Sequence, residues 1–142
     1  MTKDHPDHHD AELVIRLYDL RRESVMRDAR KAIAGFAPKT FNDLAAITKG
    51  DHPSNAAFRQ VHTYWEMVFG MARQGVIHSE FLVENNGEGL FVFAKVERFL
   101  DELRKIAHPK SFYNAEWAAK NTVVGRESME RHRAQIARML AG

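Results

Sequence analysis

Apolar side chains recur about every third or fourth position in each long segment of this chain, and that spacing restricts it to helices that each hide one flank. Over residues 54–75 the inner face reads Phe58, Val61, Trp65, Val68, Phe69 and Ala72. Over residues 89–107 it reads Val92, Val96, Phe99, Leu100, Leu103, Ile106 and Ala107, with Lys95, Arg98, Asp101, Glu102 and Lys105 opposite as a solvated face. Residues 11–35 carry Val14, Tyr18, Val25, Ala29, Ala32 and Phe36 in one stripe, which predicts a single long helix capped by Asp10. Pro38 and Thr40 open a short helix over 41–47, Ser79 caps a short turn, and residues 114–140 read as a helix broken at Gly125. The run from Leu90 to Val96 also suits a strand, but no second β-like run offers it a partner. The expectation is an all-α, single-domain bundle of five or six helices over residues 11–142, behind a flexible leader over residues 1–10.

Composition narrows the chemistry more than it identifies it. With no cysteine there is no disulfide, thiolate nucleophile, iron–sulfur site or cysteine-based zinc site. No apolar run nears the roughly 18 residues that span a bilayer, and residues 1–10 lack the pattern of a secretory signal, so the expected setting is the cytoplasm, with no membrane partner. A net charge of +2 is a slight excess over many acids. The basic clusters at Arg21, Arg22, Arg27, Arg30 and Lys31, and at Arg126, Arg131, Arg133 and Arg138, are mixed with Glu23, Asp28, Glu127 and Glu130, which argues for solvated faces over nucleic-acid binding.

Two groups of polar residues sit where a site is conceivable. Arg59, His62, Glu66 and Arg73 project from one strip of the 54–75 helix, and a carboxylate four residues after a histidine can tune its pKa or join it on a divalent metal. Two ligands fall short of a metal site, and an ion-pair network explains the same spacing. Arg21, Ser24 and Asp28 interrupt the apolar side of the first helix; a buried Arg21 needs a carboxylate, from Asp28 or Glu66, unless it lines a pocket for an anion. His5, His8 and His9 of the leader suit adventitious metal retention, and Asn85-Asn-Gly-Glu-Gly89 suits a turn. No motif implies a cofactor or a catalytic triad.

The blocks His62-Thr-Tyr-Trp-Glu-Met67, Gly75-Val-Ile77, Asn86-Gly-Glu-Gly-Leu90 and Leu17-Tyr-Asp-Leu-Arg-Arg-Glu23 resemble an uncharacterised family of small bacterial helical proteins. That resemblance implies a helical fold and no activity, and it adds Tyr64, Trp65, Glu66, Asn86 and Glu88 to the residues of interest. Tyr64, Met67, Met71, Phe91 and Phe93 fall at or beyond the edges of their stripes, which favours a binding or assembly module that docks on a protein or on itself. The alternative is a small-ligand or metal pocket using His62 and Glu66, with Arg21, Arg59 or Arg73 as anion contacts.

Overall fold

A computed structural model of the chain describes residues 3–142, and every element in them is helical. Nine α-helices follow in order: α1 (His8–Arg22), α2 (Ser24–Ala34), α3 (Phe41–Ile47), α4 (Asn55–Arg73), α5 (Ser79–Glu84), α6 (Gly87–Val96), α7 (Leu100–Ile106), α8 (Tyr113–Asn121) and α9 (Val123–Ala141). A 3₁₀ turn, Glu97–Phe99, joins α6 to α7. The all-α expectation stands and the strand alternative for residues 90–96 falls, since those residues lie in α6. The count of five or six helices is corrected upward, because two segments read as continuous are broken by local chemistry that apolar periodicity does not report.

The first break is at Glu23, whose extended backbone (ψ 146°) ends α1 while its carboxylate accepts from the Val25 and Met26 N–H groups and so starts α2. The break resets the helical phase. Leu17, Met26, Ala29 and Ile33 are buried in place of the single expected stripe, and Tyr18 and Val25 face solvent. The second is the 3₁₀ turn, which re-aims the chain so that Leu100 and Leu103 reach the core and Ile106 does not. The last region does break, though at Thr122, whose hydroxyl accepts from the Gly125 N–H and caps α9. Gly125 sits inside the first turn of α9, where a Cβ would run into the Ala118 carbonyl.

At the N-terminus Asp7, not Asp10, caps α1, accepting from His9 and Asp10 N–H. Asp10 is fully buried and accepts from Lys3 Nζ and from the His78 N–H. The expected mobile leader includes Met1 and Thr2, which lie outside the described residues.

Helix α4 is the axis of the fold, packed against α2 and α8, while α9 closes over α5, α6 and α8. All six residues expected on the inner face of α4 are buried, joined by Tyr64. Trp65 and Phe69 stack with centroids 5.9 Å apart, and α6 crosses directly over them at Gly89. A Cβ on Gly89 would come within 2.6 Å of Trp65 and 2.7 Å of Phe69, so the crossing requires glycine. No helix in the described residues is long and apolar enough to cross a membrane.

The crossing generates a paired test. Gly89→Ala is expected to cost about 1–3 kcal/mol of stability through overpacking, whereas Gly87→Ala, with open space around it, should be neutral or slightly stabilising. Urea unfolding of both variants checks this, and equal effects would mean that the α4–α6 approach is looser than described.

Candidate functional site

The polar strip of α4 resolves into separate contacts. Phe112, the residue before α8, has a left-handed backbone (φ 58°) and no side-chain atom able to cap a helix. Glu66 caps α8 from α4 instead, its two oxygens accepting from the Asn114 and Ala115 N–H groups at 3.0 and 2.8 Å. Burial raises the Glu66 pKa, with those two hydrogen bonds opposing. Arg73 donates to Asn114 Oδ1 and Arg59 to Asn55 Oδ1. His62 packs between the Phe58 and Phe112 rings, at 4.8 and 5.4 Å, and burial lowers its pKa. His62 and Glu66 therefore do not share a ligand position. Nor do any three His, Asp or Glu side chains among the described residues form a group able to hold a metal.

Arg21 meets neither Asp28, which is exposed, nor Glu66. Its guanidinium lies over the Tyr18 and Trp65 rings, and its Nε is buried without a hydrogen-bond partner, as is Trp65 Nε1. Tyr64 donates to the Leu17 carbonyl at 2.6 Å, and Asn86 donates to the Leu82 carbonyl. Of the side chains expected at the stripe edges, Tyr64 and Phe93 are buried, Met71 and Phe91 are partly buried, and Met67 alone is exposed.

The arrangement that gathers charge, burial and space together lies between α2 and α6, and of the candidate residues it takes Glu88. Here a pocket of about 240 Å³ is lined by Ile33, Ala34, Val61, Phe91 and Val92, with Arg30 and Glu88 on one side and Lys95 among the lining residues. Arg30 Nε and Nη2 each donate to a Glu88 oxygen at 2.7 Å, a two-pronged pair that leaves Nη1 only a long 3.5 Å contact to the Arg21 carbonyl. Arg27 and Lys31 line an adjoining opening that shares Arg30, Ala34 and Glu88 with the pocket.

Lys95 was expected on a solvated face, and this is corrected: it is 3% exposed. Its Nζ donates to the Ile33 and Ala34 carbonyls at 3.0 and 3.2 Å, closing the C-terminal end of α2, and lies 4.9 Å from the Phe91 ring centre. Burial pushes its pKa down from the usual lysine range to about 8, with the Glu88 charge opposing. A signal for it exists in the sequence, because Lys95 is the sole charge within the apolar run from Leu90 to Val96. No such signal marks Arg30, whose role depends on a partner 58 positions away.

The folded value for Lys95 lies below the unfolded one. Between about pH 8 and the ordinary value of 10.5 the unfolded chain therefore holds a proton that the folded chain has released, and stability rises with pH across that window. A gain on the order of 2 kcal/mol is expected, until ionisation of tyrosines opposes it. Denaturation curves between pH 7.5 and 9.5 should show the rise in the wild type and a flat response in Lys95→Met; a flat wild type would place Lys95 in contact with water.

No curated protein and no solved structure matches the chain. Residues 6–122, which include every residue of the α2–α6 pocket, match the family model described as Domain of unknown function (DUF4760), and the chain belongs to that family.

Proposed function

We propose that this protein binds a small anion with an apolar body in the pocket between α2 and α6. The observation that carries the reading is one pocket holding apolar walls, a buried lysine and an arginine whose Nη1 has donor capacity to spare. Ile33, Val61, Phe91 and Val92 supply the surface that an apolar body displaces water from, and Arg30 supplies the positive charge that selects a carboxylate or phosphate. Glu88 is the only acid among the lining residues of the pocket and its opening, against the cations Arg27, Arg30 and Lys31. Electrostatic focusing by the low-dielectric walls strengthens that imbalance. The bidentate hold of Glu88 fixes the Arg30 side chain, so an incoming anion meets a cation that is already ordered.

Titration of labelled protein with short-chain carboxylates and phosphate monoesters, followed by amide shifts, tests this directly. Shifts at Ile33, Ala34, Phe91 and Val92 are expected, and Arg30→Ala should weaken binding roughly tenfold, about 1.4 kcal/mol. Shifts scattered over exposed lysines, or an Arg30→Ala protein that binds equally well, would remove the reading.

A second reading, self-association, rests on a different observation. Ile15, Tyr18, Leu20 and Val25 on α1 and the start of α2 are all exposed, an unusual concentration of large apolar side chains over so short a stretch. Light scattering across a range of concentrations decides it, since a monomer at the highest concentration excludes it.

A further inference from the structure

We infer that Lys95 is an amine nucleophile for a small anionic aldehyde or 2-oxo acid, forming a reversible imine with it inside the α2–α6 pocket. The inference rests on the anion-binding reading and assigns the ligand its chemical class. Lys95 is the one buried lysine among the described residues, and it lines the same pocket as Arg30. Its Nζ meets two acceptors, the Ile33 and Ala34 carbonyls. An ammonium has three protons to place and a neutral amine two, so the amine satisfies both carbonyls and keeps a lone pair unpartnered. Of the acids, Glu88 acts on Lys95 only at long range, because both its oxygens are held by Arg30. No carboxylate pairs with Nζ to fix it as an ammonium. The depressed pKa of Lys95 is consistent with this, leaving about half of the side chains as free amine near pH 8.

In the addition step the Nζ lone pair bonds to the carbonyl carbon, and the C=O π pair moves to oxygen, which takes up a proton shed by nitrogen. That hydroxyl then leaves with a proton taken from solvent, as water, and the nitrogen lone pair completes the C=N bond, so one aldehyde, one amine and one proton give one protonated imine and one water, with no oxidant or reductant. The anionic group of the ligand is held by Arg30. A protonated imine retains one N–H and with it one of the two carbonyl contacts, while the other carbonyl loses its donor. That loss opposes the adduct and keeps it reversible.

Glyoxylate with cyanoborohydride, followed by peptide mapping, is the test. Reduction converts the imine to a stable carboxymethyl lysine, and Lys95 should be labelled at least roughly tenfold over the exposed lysines near pH 8, where its neutral fraction is larger by more than that factor. In Arg30→Ala the Lys95 labelling should fall while labelling of exposed lysines holds. Labelling of Lys95 at or below that of exposed lysines would overturn the inference. Glycolate, which has the same carboxylate and no carbonyl, separates the two levels. Glycolate shifts in the pocket without Lys95 labelling by glyoxylate leave the anion pocket and remove the imine, and absence of both removes both.

Discussion

The fold depends on helix ends being closed by side chains from other helices. A chain divided into short helices has many ends, each with backbone N–H or C=O groups that lack partners within the helix, and burying such groups unpaired costs more than most single contacts contribute. Glu66 of α4 closes the start of α8, Glu80 of α5 closes the start of α9 through the Val123 and Val124 N–H groups, and Lys95 of α6 closes the end of α2. Each carboxylate also carries the charge sign that the helix dipole favours at an N-terminus, as does the lysine at a C-terminus. These contacts fix the register of one helix against another more sharply than apolar packing does, because a hydrogen bond tolerates little displacement and a greasy surface tolerates a good deal.

The pocket is a product of the same constraint. Helix α2 stops at Ala34, and Lys95 reaches its last carbonyls only because α6 passes close over α4 at Gly89. With α6 set at that depth, Phe91 and Val92 form one wall, Ile33 and Ala34 the other, and Val61 of α4 also lines the space between them. Arg30 and Glu88 then pair across α2 and α6 at 2.7 Å, so the polar edge of the pocket also ties its two walls together.

Much of this was legible from spacing, and what was not has a common cause. The inner face of α4 followed from periodicity because the helix runs unbroken from Asn55 to Arg73, so its apolar phase is never reset. Leu90 to Val96 was ambiguous, since a run apolar on all sides suits a buried helix or a strand alike. It became a helix that buries seven of its ten residues. The break at Glu23 was missed and the one at Thr122 was placed at Gly125, because a capping side chain overrides the apolar phase without altering it. The strip of Arg59, His62, Glu66 and Arg73 was correctly placed on one face. What each side chain does there is set by partners such as Asn114, 48 positions from Glu66, and no pattern within a helix conveys that. The aromatic and Met residues beyond the stripes misled for a related reason. A helix surrounded by neighbours has more than one inner face, so Tyr64 and Phe93 are core residues.

Lys95 shows why structural and functional readings of a buried charge need not compete. As a cap it needs N–H donors, which the neutral amine has in the required number; as a nucleophile it needs a lone pair, which the neutral amine alone has. The neutral amine can therefore serve both roles, and burial promotes it by lowering the pKa. A glutamine in this place would supply the N–H groups without the lone pair, and an arginine would keep its charge at any working pH. Among residues that close a helix end from within an apolar run, lysine is the one that leaves reactive chemistry behind when it does so.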